Sequence, residues 1–408
     1  MKKVLYISYD GMTDPLGQSQ VLPYIIGLSK KGYEFTLLSA EKPERFAKYQ
    51  EDILKITNEH GIRWKTIPFS SSLPVISKIK DLWHLKKTAK ELHLKEKFDL
   101  VHCRSYVSVE VGLLFQKKYG TDYLFDMRGF WVDERVDGGI WNLKNPFYQL
   151  AYRYYKKKEK NFLRYASHVI TLTEAAKEDM SNWKGIGNAE ISVIPCSADF
   201  EIFKLTNTQD KQSIRKEIGF NKDELVISYL GSIGTWYLID EMLDFFKILK
   251  LRYPKARFLF LTPEASETII SKAIAKGLDP SSFKILFAKR DKVNYYLSAS
   301  DISLYFIKQC YSKISSSPTK QGEILAMGIP VITNSGIGDV ESIVLQGENG
   351  LVIDDFDSLS YQKAIDLIPE ILQKNPGDIR KKAIKYYNLE KAIQKYEAVY
   401  QKILNPVG

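Results

Sequence analysis

The sequence predicts an α/β protein of two Rossmann-like domains, each built on a doubly wound parallel sheet. Short β-rich runs alternate with longer helical segments along the whole chain, a pattern typical of parallel βαβ units. The chain has 408 residues, of which 44% are hydrophobic. This length is too great for one typical core and fits two domains of roughly 200 residues each.

The first half of the chain has the pattern of a complete α/β domain. Strands are predicted at 4–8, 35–39, 63–67, 100–103, 123–125, 169–172 and 191–194. Helices are predicted between them at 18–30, 76–94, 107–118 and 147–165. The stretch 199–223 is polar and mixed in pattern, so we predict that it is a linker between the domains.

The second half repeats this alternation. Strands are predicted at 225–230, 258–261, 284–287, 302–306, 331–333 and 351–353. The tail at 389–404 is amphipathic. Ligands of open α/β sheets bind beyond the carboxyl ends of the strands, so the polar loops that follow these runs are the places to look for a site.

Composition narrows the function classes. The net charge of +10 suits phosphate-bearing substrates, a polyanion or an anionic membrane surface. The cysteines, Cys103, Cys196 and Cys310, lie far apart, which indicates neither a disulfide framework nor a zinc site. No apolar run approaches about 18 residues, so the chain is not expected to span a membrane. We expect a cytoplasmic protein, with a peripheral position on the inner face of the membrane left open.

The segment 147–164 concentrates positive charge. It contains six basic residues and one acidic residue, and its aromatic residues recur at helical spacing. Such a helix could rest on anionic lipid, with its rings at the headgroup boundary. The alternative is a buried aromatic stripe with a solvated basic face. A nucleic-acid partner is not expected, because no known binding module accompanies the segment.

The stretch 314–353 has the pattern of a phosphate site. Ser317 can cap a helix that begins at Pro318, and Gly328 can end this helix in the left-handed conformation. Lys320 then lies on the first turn, where backbone N–H groups and the helix dipole also favour an anion. Glu323 follows on the same face, within reach of ribose hydroxyls.

Two glycine-containing loops accompany this helix. Gly336 and Gly338 follow the strand at 331–333, and Asp339 is predicted to begin another helix. Gly231 and Ser232 follow the strand at 225–230. That loop lacks the third glycine and the later acidic residue of a nicotinamide site, so its glycines are expected to let the backbone approach a diphosphate.

The order and spacing of these segments resemble the retaining glycosyltransferases of family four. The resemblance extends over almost the whole chain and includes the segments 4–20, 125–131, 193–199 and 229–232. It implies the GT-B fold, in which two Rossmann-like domains face each other across a cleft. The implied domains are 1–198 and 199–387, and the last helix, 388–408, packs back on the first domain.

The resemblance also implies roles for residues. Glu323 matches the family carboxylate that binds ribose, while its companion eight positions earlier falls on Ser315. The family's Arg and Lys after Gly231 are absent, so Lys320 is the substitute cation for the diphosphate. Many members carry a histidine where this chain has Asp126 and Arg128. The donor-binding residues predicted in this way are Gly17, Gln18, Gly231, Ser232, Ser317, Thr319, Glu323, Gly336 and Gly338, with Lys320, Arg128 and Asp126 as catalytic candidates.

The predicted function is transfer of a hexose-type sugar, with retention, from a nucleoside-diphosphate sugar to a hydroxyl of a glycan or lipid-linked acceptor. No metal or other cofactor is expected, because Asp357 of the Asp355-Phe356-Asp357 run is predicted to cap a helix. No histidine is assigned a role. Two alternatives remain: a nucleoside-diphosphate-sugar epimerase of the same fold, and a non-catalytic basic scaffold that binds lipid or a polyanion.

Overall fold

The computed structural model describes residues 1–70 and 74–405. The chain forms two compact units. The N-terminal unit comprises Met1–Pro195 together with Leu389–Gly408, and the C-terminal unit comprises Cys196–Asn388.

The N-terminal unit is built on a parallel sheet. Within the described residues this sheet has seven strands in the order β3-β2-β1-β4-β5-β6-β7. The strands are β1 (Lys2–Ser8), β2 (Tyr33–Glu41), β3 (Arg63–Pro68), β4 (Leu100–Arg104), β5 (Asp122–Asp126), β6 (His168–Thr171) and β7 (Ile191–Val193). The central strands β4 and β5 are buried along almost their whole length, as expected for parallel strands covered by helices on both faces.

Helices connect these strands. They are α1 (Pro15–Gln20), α2 (Leu22–Ser29), α3 (Pro43–Glu59), α4 (Pro74–Glu96), α5 (Ser105–Tyr119), α6 (Trp131–Asp137), α7 (Pro146–Tyr165) and α8 (Glu174–Ser181). The strand order reverses between β1 and β4, which are paired neighbours. Such a reversal opens a crevice at the carboxyl ends of the strands.

The C-terminal unit repeats the architecture. In the part of this unit that the structure describes, six parallel strands run in the order β10-β9-β8-β11-β12-β13. They are β8 (Val226–Leu230), β9 (Arg257–Leu261), β10 (Phe283–Leu286), β11 (Ile302–Leu304), β12 (Val331–Asn334) and β13 (Gly350–Ile353). The helices are α9 (Thr208–Glu217), α10 (Ile239–Arg252), α11 (Ser266–Ala275), α12 (Val293–Leu297), α13 (Thr319–Ala326), α14 (Val340–Val344), α15 (Ser358–Asp366), α16 (Ile368–Leu372) and α17 (Pro376–Tyr387).

The last helix, α18 (Leu389–Leu404), belongs to the N-terminal unit. Its apolar side packs on α2, where Gly27 makes room for it: a Cβ at Gly27 would lie 2.2 Å from Ile393 Cδ1. Residues 406–408 of the predicted final segment lie outside the described residues. Because α18 follows the C-terminal unit in sequence, the N-terminal core is completed by the end of the chain.

The predicted α/β class with two doubly wound parallel sheets is confirmed. Each predicted strand has an observed counterpart whose ends differ by no more than two residues. The predicted helix 18–30 is instead two helices, because Val21 has φ −127° and ψ −63° and Pro23 follows it. The predicted linker 199–223 is also wrong: it contains α9, and Ile214 and Ile218 pack into the C-terminal core.

Within residues 1–70 and 74–405, none of the helices combines the length and apolar character that crossing a membrane requires.

Candidate active site

The predicted site residues form two groups, one in each unit. Lys320 and most of the donor-binding candidates lie in the C-terminal unit, whereas Asp126, Arg128, Gly17 and Gln18 lie in the N-terminal unit. In both units most of them lie in loops, at strand ends or at helix starts near the carboxyl ends of parallel strands, the edge at which α/β sheets bind ligands.

Lys320 lies in a cage of tyrosines on the first turn of α13. Its Nζ is 3.6 Å from the ring centroid of Tyr237, 4.2 Å from that of Tyr229 and 5.9 Å from that of Tyr305. The lysine is buried, and its Nζ has no hydrogen-bond partner among the described residues. Burial lowers the pKa of Lys320 well below 10.5, and Glu323 opposes this shift. We call Lys320 and these three rings the lysine cage.

Gly231 faces the lysine cage. It follows β8 with φ +112°, a conformation that favours glycine, and a Cβ there would lie 3.1 Å from Lys320 Nζ. Its own N–H donates to Leu261 O at 2.9 Å, so this N–H is already satisfied. The carbonyl of the exposed Ser232 accepts from Tyr229 Oη at 2.7 Å. The Gly231 loop therefore brings the backbone close to the ammonium without offering the Gly231 N–H to a ligand.

The start of α13 differs from the prediction in two respects, the capping residue and the first residue of the helix. Ser317 does not cap the helix; its Oγ accepts from the backbone N–H of Cys196 at 3.2 Å. Pro318 occupies the capping position, and the helix begins at Thr319, which is partly exposed. A proline at the cap offers no side-chain acceptor, so the first-turn N–H groups remain without a capping side chain. Gly328 follows the helix with φ +71°, as predicted.

Glu323 is buried on the next turn of α13 and forms an ion pair with Arg290. Arg290 Nη1 lies 2.5 Å from Glu323 Oε1, and the Arg290 side chain is partly exposed. Burial raises the pKa of Glu323, while the Arg290 guanidinium and then the Lys320 ammonium hold it down. The second carboxylate oxygen accepts no hydrogen bond from the described residues. Sequence reasoning did not identify this pairing, because 33 positions separate the two residues.

The second glycine loop is held by internal hydrogen bonds. Gly336 and Gly338 have φ +75° and +46°. The Gly336 N–H donates to Glu341 Oε2 at 3.1 Å, and the Gly338 N–H donates to Lys313 O at 2.9 Å. The helix after the loop begins at Val340, one residue later than predicted. These contacts fix the shape of the loop but engage the N–H groups that a ligand would need.

Lys313 is a further cation that sequence reasoning missed. Its Nζ lies 3.6 Å from the ring centroid of Trp236, in the loop that begins at Gly231. Ser315 lies on the same 3₁₀ turn, and its buried Oγ donates to Ser312 O at 2.7 Å. Because lysine and tryptophan are 77 positions apart in the sequence, no local pattern could have joined them.

In the N-terminal unit, Asp126 and Arg128 come together at the end of β5. Asp126 Oδ1 lies 3.7 Å from Arg128 Nη1, and Asp126 Oδ2 accepts from Tyr396 Oη at 3.0 Å. His102 Nε2 is 3.4 Å from the same oxygen. Burial favours the neutral acid, but the Arg128 guanidinium and the His102 contact prevail and lower the pKa of Asp126 to about 2.

His102 and α18 complete this buried network. His102 Nδ1 lies 2.7 Å from Tyr400 Oη. Burial lowers the pKa of His102, although Asp126 opposes the shift, so the imidazole is neutral at neutral pH. No local sequence pattern indicates this role of His102, since Tyr400 lies 298 positions away. Arg104, at the end of β4, was also missed although it ends a buried strand in the same way as Asp126 ends β5.

Gly17 and Gln18 lie on the short helix α1. A Cβ at Gly17 would be 2.2 Å from Gly11 O, so glycine is required for the close packing of α1 on the loop after β1. The Gln18 side chain is partly exposed, with its Nε2 3.4 Å from Thr13 O. Buried Glu41 fixes this loop by accepting hydrogen bonds from Met12 N at 2.6 Å and Thr13 Oγ1 at 2.6 Å.

Comparison with known families agrees with this architecture. The sequence profile of Glycosyltransferase Family 4 matches residues 21–202, and the profile of Glycosyl transferases group 1 matches residues 210–387. The two parallel sheets and these matches define a glycosyltransferase of the GT-B fold. The two profiles match successive parts of the chain, which is therefore a glycosyltransferase similar to those of family 4. Among curated protein sequences none matches it significantly.

Solved structures share the fold over nearly the whole chain. Sucrose-phosphate synthase from Thermosynechococcus elongatus has a TM-score of 0.72 at 16% identity, with 99% of each chain covered. A glycosyltransferase from Rickettsia africae has a TM-score of 0.73 at 15% identity, again with 99% of each chain covered. HepE from Anabaena, solved with UDP and glucose, has a TM-score of 0.70 at 14% identity, with 98% of this chain and 100% of HepE covered.

Proposed function

We propose that this glycosyltransferase moves a hexose-type sugar from a nucleoside-diphosphate sugar to a hydroxyl of a glycan or lipid-linked acceptor, with retention of anomeric configuration. The observation that carries the proposal is Lys320, a buried lysine without a hydrogen-bond partner in the described chain, placed beside Gly231 on the first turn of α13. A diphosphate is the ligand whose charge fits this arrangement.

Lys320 would act on the leaving group. Negative charge builds on the departing diphosphate as the bond to the sugar breaks, and a preorganised cation in a poorly hydrated site stabilises that charge. The donor's own phosphate oxygen can take the acceptor proton on the same face of the sugar. This front-face route leads to retention and needs no base from the protein.

The properties of Asp126 in the N-terminal unit agree with a transfer that needs no base from the protein. Asp126, with its pKa lowered to about 2, is a weak proton acceptor at neutral pH, where an effective general base has a pKa near the working pH. We propose that Asp126 orients Arg128, which lies 3.7 Å away, rather than accepting the hydroxyl proton.

Glu323 would bind the ribose of the donor. Arg290 occupies one carboxylate oxygen, and the other oxygen is left to accept hydrogen bonds from two adjacent hydroxyls. Uridine is the first base to test, because HepE, which has the same fold, was solved with UDP and glucose.

We propose that transfer needs no added metal. Asp357 accepts from Ser360 N at 2.7 Å and so caps α15, as predicted, which gives the Asp355-Phe356-Asp357 run a structural use. Turnover should persist in EDTA, and a loss that Mg²⁺ or Mn²⁺ restores would overturn this point.

The outer face of α7 supports a peripheral membrane position. Phe147, Leu150 and Tyr154 lie on one side of this helix and are 59%, 69% and 52% exposed. An exposed basic band flanks them; it consists of Arg153, Lys157, Lys160 and Arg164. Glu159, the acid within the helix, is buried and forms an ion pair with Lys156. Apolar rings beside a basic band match the chemistry of an anionic bilayer surface, which we propose as the partner of this face.

The decisive experiment is a transfer assay with the full chain. A panel of nucleoside-diphosphate sugars is tested with and without glycan and lipid-linked acceptors, and the anomeric configuration of the product is read by NMR. Transfer with retained configuration supports the proposal. Inverted product overturns retention, isomerised donor without acceptor indicates the epimerase, and failure to bind UDP or GDP indicates the scaffold.

A lysine variant tests the leaving-group role within this assay. Lys320→Ala should cut turnover by roughly 100-fold, the scale seen when one preorganised electrostatic group is lost, while UDP affinity falls less. Lys320→Arg should recover little, because a planar fork does not replace a compact ammonium inside the cage. Lys255, which is 75% exposed in the same unit, provides the matched Lys→Ala control. Near-normal turnover in Lys320→Ala would exclude the role.

A further inference from the structure

A cavity of about 150 Å³ lies at the amino-terminal edge of the C-terminal sheet. Ser300 and Asp301 directly precede β11, and Ile329 and Pro330 directly precede β12. These four residues line the cavity together with the end of α16 and the loop between α16 and α17. A cavity of similar volume in an apolar core holds benzene. The space is therefore large enough for a small organic ligand.

The cavity and the lysine cage lie at opposite ends of α13. Lys320 is on the first turn of this helix, whereas Met327 and Gly328, which follow its last turn, line the cavity. A helix of eight residues is about 12 Å long. Ser300 precedes β11 while Tyr305 of the lysine cage follows it, so the two places also lie at opposite edges of the sheet. A ligand in the cavity would therefore leave the lysine cage free.

Ser300 contributes a buried hydroxyl that the described chain does not use. The residue is 2% exposed, and its Oγ has no hydrogen-bond partner within the described residues. Its backbone N–H donates to Leu297 O at 3.1 Å, so the hydroxyl is the group left over. The neighbouring Ser298 differs, because its Oγ donates to Tyr295 O at 2.5 Å. A buried hydroxyl without a partner costs free energy, and it is expected where a ligand supplies the partner.

The lining also holds more positive than negative charge. Lys211 lines the cavity and shares the carboxylate of Asp301 with Arg215, at 2.8 Å and 2.6 Å. One acid thus serves two bases. A third base, Lys374, lines the cavity as well. This excess of bases favours an anionic ligand.

Lys374 supplies an ammonium that no ion pair occupies. It lies in the loop between α16 and α17 and is exposed, and it forms no ion pair with the residues that the structure describes. Glu348 is close enough for Lys374 to contribute to its lowered pKa, but the main cause of that shift is Lys382, the ion-pair partner of Glu348. The Lys374 charge is therefore available to a ligand.

The carbonyl groups at the end of α13, which would attract a cation, are already engaged. Leu325 O accepts from the Gly328 N–H at 3.0 Å, and Ala326 O accepts from Arg380 Nη1. The free groups of the cavity are thus donors, a hydroxyl and an ammonium. A ligand that satisfies them must bring acceptor oxygens and negative charge.

We propose that this cavity binds a small phosphate ester, with its phosphate oxygens on the Ser300 hydroxyl and the Lys374 ammonium. Its organic part would pack on the apolar wall, which consists of Met327, Ile329, Pro330, Ile371 and Leu372. Phosphate fits because it offers several strong acceptor oxygens, and lysine binds it as a point charge. The inference goes beyond the proposed transfer reaction and does not depend on it, since the cavity is separate from the lysine cage.

The test is calorimetric titration of the full chain with glycerol 3-phosphate in the presence of saturating UDP. Glycerol 3-phosphate should bind under these conditions, whereas glycerol, which lacks the phosphate, should not. Lys374→Gln should weaken binding about tenfold or more, the effect of losing a charged hydrogen bond. Lys255→Gln is the matched control, because Lys255 is a 75% exposed lysine of the same unit.

Ser300→Ala tests the buried hydroxyl. It should weaken binding of glycerol 3-phosphate about threefold or more, the effect of losing a neutral hydrogen bond. It should not lower the melting temperature of the ligand-free protein, because the hydroxyl has no partner there among the described residues. Lys320→Ala separates the cavity from the lysine cage and should bind glycerol 3-phosphate as the wild type does.

Four results would overturn the site: no binding of glycerol 3-phosphate to the UDP-saturated protein, equal binding of glycerol, unchanged binding in Lys374→Gln, or a tenfold loss in Lys320→Ala. The last result would assign the phosphate to the lysine cage. Failure of the wild type to bind UDP would instead contradict the proposed function, and titration without UDP would then test the cavity through the same variants.

Discussion

Lys320 combines burial, three aromatic neighbours and the lack of a hydrogen-bond acceptor within the described residues. The tyrosine rings attract an ammonium, but burial disfavours its charged form, and burial prevails in the pKa. A side chain that costs stability in the free protein and can gain charge partners from a ligand is typical of functional sites. We therefore expect the buried Lys320 amine to destabilise the ligand-free protein.

This cost can be measured by removing the amine. Lys320→Met keeps the volume and should stabilise the protein at pH 7 by roughly 1–3 kcal/mol, the penalty of a buried group without partners. Because the folded pKa lies below 10.5, the penalty is complete below the folded pKa and disappears as the pH rises towards 10.5. The gain in melting temperature should shrink accordingly in melts from pH 6 to 10. A less stable Lys320→Met at pH 7 would mean that the ring contacts outweigh burial.

The proposed contact between Glu323 and ribose can be tested by substitution. If it binds ribose, Glu323→Gln should weaken UDP binding about tenfold, because a charged acceptor is replaced by a neutral amide. The wild type should also prefer UDP over 2′,3′-dideoxy-UDP, whereas the variant should bind both alike in calorimetry. Since burial raises the pKa of Glu323, UDP affinity of the wild type should fall as the pH drops towards that raised pKa and the carboxylate protonates.

The sharpest control is the exposed carboxylate Asp366, which pairs with Arg252 on the surface. Asp366→Asn should leave the preference for ribose unchanged. Equal loss of UDP and dideoxy-UDP in Glu323→Gln would show that the carboxylate supports the site through Arg290 and does not contact ribose.

The strands could be predicted from the sequence, but the hydrogen bonds and ion pairs between distant side chains could not. Strands of a parallel sheet are buried on both faces, so runs such as 226–230 and 331–334 stand out by composition alone. The predicted capping role of Ser317 was wrong because its hydroxyl accepts a hydrogen bond from the backbone N–H of Cys196, which lies 121 positions away. Local capping rules cannot anticipate such a tertiary competitor.

For α7, too, the helix could be predicted from the sequence but the contacts of its side chains could not. Its helical bounds match the prediction within one residue, but the sequence could not say which lysines are exposed. Lys156 and Lys158 are held by ion pairs with Asp133 and Glu110, respectively. From the sequence, the six bases of this segment could not be told apart. In the structure, Lys156 and Lys158 form ion pairs within the unit and make up an internal set, whereas the exposed bases make up an outer set.

Membrane binding by α7 can therefore be tested with the outer set. Replacing Arg153, Lys157 and Lys160 with glutamate should abolish sedimentation with anionic vesicles, since each base contributes about 1 kcal/mol near such a surface. Phe147→Ser and Leu150→Ser together should also weaken sedimentation, because they remove the exposed apolar contacts. Both variants should keep the wild-type melting temperature, as these side chains lie on the surface.

The matched control uses the internal lysines. Lys156→Gln should lower the melting temperature but leave vesicle sedimentation close to that of the wild type, because Lys156 is occupied by buried Glu159 and by Asp133. If the wild type does not sediment with anionic vesicles, the outer face of α7 is not a membrane surface.

The N-terminal unit depends on α18, which follows the C-terminal unit in the sequence. α18 buries six side chains in this unit; they are Ala392, Ile393, Tyr396, Val399, Tyr400 and Ile403. The amphipathic tail was visible in the sequence, but its contact with Asp126 joins residues 270 positions apart. A single sequence carries no signal for a contact between such distant residues, so the catalytic candidates could be named while their surroundings could not.

Removal of α18 should loosen the N-terminal unit in particular. A chain that ends at Asn388 loses the apolar packing on α2, and each well-buried aliphatic side chain contributes about 1.5–3 kcal/mol. It also leaves Asp126 and His102 without the hydroxyls of Tyr396 and Tyr400. Amide exchange measured by mass spectrometry should therefore quicken at least about tenfold in β1, β5 and α2, while β8 to β13 keep wild-type protection.

The control keeps the helix and alters its surface: Gln401→Ala changes an exposed residue of α18 and should leave exchange unchanged in both units. Unchanged protection of β1 and β5 in the truncated chain would mean that the N-terminal core is complete without α18. Loss of protection in β8 to β13 as well would mean that the two units do not unfold separately. The expected pattern, in which only the N-terminal unit loosens, follows from the buried side chains of α18, which belong to the core of that unit.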